Sequence, residues 1–182
     1  MKKAFLTLIC LITLILLSAA FMPKDFTIEE NIIIDTPKSK VFSYLKMIEN
    51  ENQWSPWIKR DPNIVREIKG EDGAVGAVAS WSGNDQVGVG EEEITNISFD
   101  QRIDLELRFI KPMKTTNKVY FITEDINNNQ TKLTWGMTGR TEFPLNFVCF
   151  FMQKQVHKDF AKGLSDVREI LENTPTKMSK TQ

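Results

Sequence analysis

Between residues 64 and 139 the chain repeats one pattern six times, a short run of alternating or apolar residues followed by a turn signal. The runs are 64–69, 76–81, 87–97, 102–109, 115–124 and 131–139. They are divided by Gly70-Glu71-Asp72-Gly73, Ser82-Gly83-Asn84-Asp85, Ser98-Phe99-Asp100-Gln101, Lys111-Pro112 and Asn127-Asn128-Asn129. Such residues reverse the chain because they tolerate or preset the dihedrals of tight turns. In the fourth run Ile103, Leu105, Leu107 and Phe109 alternate with Asp104, Glu106 and Arg108. One face is therefore dry, and the other carries charges that pair across strands. Connections this short leave no room for crossovers, so the runs predict an antiparallel meander.

Residues 26–34 add a strand that ends at Asp35-Thr36-Pro37. A short helix follows, with Val41, Phe42, Leu45 and Ile48 on its buried face and Lys38, Lys40 and Lys46 outside. Trp54-Ser55-Pro56-Trp57 is read as irregular, because the proline stops a helix from continuing. The last element is a long helix. Val156, Phe160, Leu164, Val167 and Leu171 form one stripe, and Lys158, Lys162, Asp166, Arg168 and Glu169 are expected to face water. Gly163 lies beside the stripe, where glycine costs about 1 kcal/mol relative to alanine. That cost points to a close backbone approach or to a space kept beneath the helix. Helices segregated from an antiparallel sheet make an α+β domain.

At the N-terminus Lys2 and Lys3 precede an uncharged run over residues 4–22, which stops at Pro23-Lys24-Asp25. As a helix, 19 residues span about 28 Å, close to the roughly 30 Å of a bilayer core. A cleaved signal peptide shares the positive start and the apolar middle, and Ser18-Ala19-Ala20 offers it an exit site. The length of the run, and its resumption with Phe21 and Met22, favour a single-pass transmembrane anchor. Either way the two lysines hold the N-terminus in the cytoplasm and the domain is exported. The protein is then tethered to the cytoplasmic membrane, or is periplasmic or secreted if the segment is removed. The expected organisation is an anchor over 1–24, a domain over 25–172 and a disordered tail over 173–182, where polar residues and Pro175 show no apolar periodicity.

The whole chain carries a net charge of −1, and without Lys2 and Lys3 the exported part holds 21 basic and 24 acidic residues. That balance, with no basic run, excludes nucleic acid as a partner. Cys10 lies in the apolar run and Cys149 is alone in the domain, so the domain has no internal disulfide and relies on its core.

The order of elements, with the phrases it carries, resembles the SRPBCC superfamily, the START-like or helix-grip fold, and within it the polyketide cyclase/dehydrase-like proteins. The matching stretches are Asp35-Thr36-Pro37 with Val41-Phe42, Trp54-Ser55-Pro56-Trp57, Trp81-Ser82-Gly83-Asn84 with Val87-Gly88-Val89-Gly90, Thr131-Lys132-Leu133-Thr134-Trp135, and Asp159-Phe160-Ala161-Lys162-Gly163-Leu164. They cover residues 26–172. The resemblance implies a seven-stranded antiparallel sheet curled around the C-terminal helix, with an apolar cavity between them. It also implies binding or transfer of lipids, sterols or polyketides, and in a minority of members cyclisation or hydrolysis. Fold does not fix function, so activity must be argued from a site.

A catalytic set is hard to assemble. His157 is the only histidine and lies at the edge of the helix stripe, where a structural or solvent role outweighs a ligand contact. There is no Gly-x-Ser-x-Gly elbow, one histidine and one cysteine do not make a zinc site, and no cofactor motif is complete. Gly88-Val89-Gly90 lacks the third glycine of a dinucleotide loop and reads as a bulged strand. In Glu91-Glu92-Glu93 one parity faces inward, and Glu91 or Glu93 is the weak candidate for an acid or base in a dry cavity. The competing reading leaves all three on a solvated rim. Aromatic residues give the better account. Trp54, Trp57, Trp81, Phe109, Phe121, Trp135, Phe151 and Phe160 exceed what a two-layer core needs and suit a small hydrophobic or amphipathic ligand, although core packing alone explains any one of them. Residues 143–152 form a second apolar segment, too short to span a bilayer. It is read as the loop and first turn that close the cavity; the alternative is a surface touching the membrane beside the anchor. The reading that results is a membrane-tethered ligand-binding module. Its alternatives are a cyclase-like enzyme and an envelope interaction protein with a filled core.

Overall fold

The computed structural model describes residues 1–173. Helix α1 (Lys2–Phe21) leads into β1 (Asp25–Ile34), then α2 (Lys38–Leu45), a 3₁₀ turn (Ile48–Asn50), and the single turns α3 (Glu51–Trp54) and α4 (Pro56–Lys59). Six strands follow: β2 (Val65–Lys69), β3 (Val78–Ser82), β4 (Val89–Ser98), β5 (Arg102–Lys111), β6 (Thr115–Asn127) and β7 (Gln130–Arg140). Helix α5 (Asn146–Asn173) ends the described chain. The tail expected over 173–182 lies, beyond Asn173, outside the described residues.

All seven strands form one antiparallel sheet in the order β1-β7-β6-β5-β4-β3-β2. Strands β2 to β7 are the expected meander. The helices between β1 and β2 carry the chain across to the far edge, which is why β1 pairs with the last strand. Pro56 divides what reads as an irregular stretch into two helical turns. Ser55 turns extended, with ψ 124°, and Pro56 opens the next turn, where its missing N–H costs nothing.

Helix α5 lies across the inner face of the sheet, with Phe160, Leu164, Val167 and Leu171 buried against Ile28, Ile34, Leu133 and Trp135. This is the α+β helix-grip architecture with an apolar N-terminal helix in front. Asp166 departs from expectation. It is buried, bonded to Lys59 Nζ at 2.8 Å and to Lys162, because α4 packs over that side of α5. Burial pushes the Asp166 carboxyl up, but the hydrogen bonds from the two lysines outweigh it and hold the group below its ordinary value. Arg60 and Asp159 form a second ion pair between the same two helices.

Candidate ligand cavity

A cavity of about 450 Å³ lies between the sheet, α3, α4 and α5. Ligand pockets typically measure about 300–1,000 Å³. Its deep end is aromatic. Phe121 and Trp135 are register partners on β6 and β7, so both face α5. Trp135 stacks on Phe160 with centroids 4.0 Å apart, and Trp54 and Trp57 meet Trp135 edge-on at 5.1 and 5.7 Å. Gly163 makes this possible by close approach, since a Cβ there would stand 2.7 Å from Trp135 Cζ3. The indole N–H groups of Trp54 and Trp135 are buried and make no hydrogen bond among the described residues, as befits a wall with little polar competition.

Trp81 and Phe109 extend the aromatic lining across β4. The residue between them is Gly90, partnered to Trp81 on one side and Phe109 on the other, and a Cβ on it would lie 2.5 Å from Trp81 Cζ2. The two rings therefore meet edge to face at 5.7 Å over bare backbone. The ladder shifts register between Val89 and Gly90, and Gly88 has φ +73°; the irregularity falls where a bulge is expected, but the extra residue is Ile110 on β5.

The exposed residues of the lining, Asp85, Gln86, Pro112, Met113 and Met152, gather at one end, formed by the β3–β4 and β5–β6 turns and the first turns of α5. The mouth is there. Near the same end Asn146 Nδ2 donates to the Ala19 and Met22 carbonyls at 2.7 and 3.1 Å, and Thr141 N donates to Lys24 O at 2.8 Å. The terminus of α1 is thus clasped to the start of α5.

One polar cluster interrupts the apolar lining. Arg66 on β2 shares its Nη2 between Glu51 Oε2 (2.9 Å) and Glu92 Oε1 (3.1 Å), while Nη1 bonds Asn52 Oδ1 (2.9 Å). Burial, followed by the charge of Glu92 and a hydrogen bond with it, raises Glu51 well above the usual carboxylate range; Arg66 opposes this. A proton kept on Glu51 leaves the cluster neutral, which is how two acids and one base persist away from water.

Seven of the eight aromatic candidates, Trp54, Trp57, Trp81, Phe109, Phe121, Trp135 and Phe160, come together on this lining. Phe151 does not, and is 60% exposed on the other side of α5. Segment 143–152 closes the cavity only in part. Cys149 and Met152 line it, whereas Phe143, Val148 and Phe150 face outward. Glu91 and Glu93 lie on the outer face, bound by Arg108 at 2.7 and 2.9 Å, and Glu92 is the member that points inward. His157 pairs with Glu30 on β1 at 2.8 Å, away from the lining. Sequence reasoning missed Glu51 and Arg66; the parity Arg66 shares with the apolar Ile64 and Ile68 was the available signal. Among the described residues no three His, Cys, Asp or Glu side chains form a metal-binding group.

The fold has many solved counterparts. The Zhui aromatase/cyclase from Streptomyces sp. R1128 superposes with a TM-score of 0.64 at 12% identity, over 81% of this chain and 94% of that one. The Aha1 dimer protein of Colwellia psychrerythraea gives 0.58 at 19%, over 83% and 99%. CalU16 from Micromonospora echinospora gives 0.55 at 15%, over 83% and 77%. The chain shares the helix-grip fold of these proteins. At these identities the likeness is one of fold alone. No family model and no curated protein matches the sequence.

Proposed function

We propose that this protein is a membrane-tethered module that holds a small hydrophobic or amphipathic molecule in the cavity beneath α5. The observation that carries the reading is the cavity of about 450 Å³ with eight aromatic side chains on its wall. Burial of apolar ligand surface would drive binding at about 25 cal/mol per Å². The Glu51–Arg66–Glu92 cluster supplies one polar point where a hydroxyl, amine or carboxylate of the ligand is oriented. An interaction protein with a filled core is disfavoured by the same volume.

Tethering is supported by α1, whose 20 residues Lys2–Phe21 are long and apolar enough to cross a bilayer and are almost wholly exposed. The two lysines at its start favour a cytoplasmic N-terminus and an exported domain. The full chain, extracted from its membrane in mild detergent, is expected to release a bound apolar molecule in native mass spectrometry. No bound species, together with unchanged tryptophan fluorescence across a lipid panel, would refute it.

A second reading is favoured by the Glu51–Arg66–Glu92 cluster on the cavity wall, where burial raises the Glu51 carboxyl well above the usual range. A neutral acid beside a carboxylate in an apolar cavity has the equipment for acid and base chemistry on a polyketide-like substrate. Turnover lost in Glu51→Gln while ligand binding persists would establish it; the outward Glu91 and Glu93 give it no support.

A further inference from the structure

The first turns of α5 are apolar on every side. Cys149 and Met152 face the cavity, while Val148, Phe150 and Phe151 face outward, and Phe151 packs edge to face on Phe147 and Phe150 at 5.2 and 5.5 Å. A helix hydrophobic all round is normally buried, in a core or in a membrane. Here the outward side chains are about half exposed or more, and Phe143 and Met113 enlarge the same end. Other exposed apolar residues of the domain, such as Ile33, Val65 and Val75, lie elsewhere in the fold.

Two further features say what covers this end. Asn146 clasps the last turn of α1, so the apolar turns begin where the exposed, membrane-length helix ends. From Asn146 to Met152 is about 9 Å along the helix, within the depth of about 5–10 Å to which interfacial helices sink. Lys111, Lys114 and Lys154 are exposed around the same end, placed for phosphate headgroups, while aromatic residues prefer the interface itself. A soluble partner would have to seat itself beside α1 and leave those lysines facing lipid.

We infer that the N-terminal turns of α5 and the Met113 turn dock into the leaflet from which α1 emerges, so that the cavity mouth opens directly onto lipid. The inference rests on the tethered reading above. Docking makes the acyl-chain layer the immediate source of the ligand, and a molecule enters or leaves between Met113 and Met152 without crossing water.

The test uses the full chain in vesicles of phosphatidylethanolamine and phosphatidylglycerol. A photo-activatable benzoyl-phenylalanine replaces Phe150 or Phe151, and as a control Phe99, which is exposed in the β4–β5 turn beside Phe42, at the opposite end of β5 from the mouth. Lipid adducts at 150 and 151, several-fold above those at 99, are expected. Equal adducts at the three positions, in a chain that stays in the vesicles after alkaline carbonate washing, would overturn docking and leave the tether standing. Crosslinks from 150 and 151 to a second copy in place of lipid would also overturn it. A chain that washes off the vesicles would refute the tether itself, and docking with it.

Discussion

Trp135 and Phe160 lie face to face, 5° from parallel, so the contact that joins the sheet to α5 is also the floor of the cavity. Stability and binding are therefore linked at one place. Phe160→Ala is expected to cost about 3–5 kcal/mol in denaturant unfolding, from lost transfer energy plus the hole left behind. Phe160→Leu should cost clearly less and still perturb ligand-dependent tryptophan fluorescence. If the alanine variant unfolded like the wild type, the stack would not be a structural contact.

Gly163 reverses the usual rule for helices. Alanine would gain about 1 kcal/mol of helix propensity. Its Cβ would meet Trp135 Cζ3 at 2.7 Å and Pro56 Cδ at 3.3 Å, both held in a packed wall, and overpacking of this kind costs about 1–3 kcal/mol. The Gly163→Ala variant should melt at a lower temperature than the wild type. A higher melting temperature would mean that the wall yields.

The Glu51 proton should be visible in the pH dependence of stability. Because the folded protein holds this carboxyl well above 4.5, it binds the proton more tightly than the unfolded chain does. The contribution is complete below about 4.5 and is lost as pH rises through the folded value. Glu51→Gln removes that loss, so its stability relative to wild type should improve as pH is raised from about 4.5 toward mildly alkaline values. Parallel curves for the two proteins would contradict the assignment.

Arg66 binds two glutamates and Arg108 three, and the two arginines should behave differently. Arg66→Ala would leave Glu51 and Glu92 facing each other in the cavity wall, and breaking such a buried pair costs about 3–5 kcal/mol. Arg108→Ala acts on the outer face, where ion pairs are worth about 0–1 kcal/mol. Urea unfolding of both variants checks the contrast. Ligand release by Arg108→Ala should match wild type.

Filling the cavity separates binding from folding. Leu107 is half-buried and lines the cavity on β5 beside Glu92. Leu107→Trp should keep the far-ultraviolet spectrum and remove the molecule that copurifies. Undiminished copurification would place the ligand elsewhere.

Much of this was legible in the sequence, for a physical reason. Strands with one dry face must alternate, and Ile103 to Phe109 do so without interruption, so the meander could be read directly. Trp135 shares the parity of Leu133 and Met137 in the same way. The Glu91–Glu93 segment resisted because the alternation breaks just ahead of it. Val87 lines the cavity from the turn before β4, but Gly88 adopts φ +73°, and the strand then runs with Gly90, Glu92 and Ile94 inward and Val89, Glu91 and Glu93 outward. Counting parity from Val87 therefore exchanges the two faces. Phe151 was misplaced for a related reason: in a segment apolar on all sides, periodicity does not say which side faces in.

The clasp at Asn146 also bears on how the protein matures. Ala19 is 1% exposed and its carbonyl is held by a residue more than a hundred positions later, while Ser18 Oγ bonds back to Leu14 O within a continuous helix. A signal peptidase requires its substrate unwound and accessible. One that meets Ser18-Ala19-Ala20 before residue 146 has left the translocation channel finds an open site; one that arrives after folding finds it shut. If the chain is exported and the motif is read by a peptidase, anchored and free molecules would be separated by whether folding or cleavage comes first, and not by the cleavage motif alone.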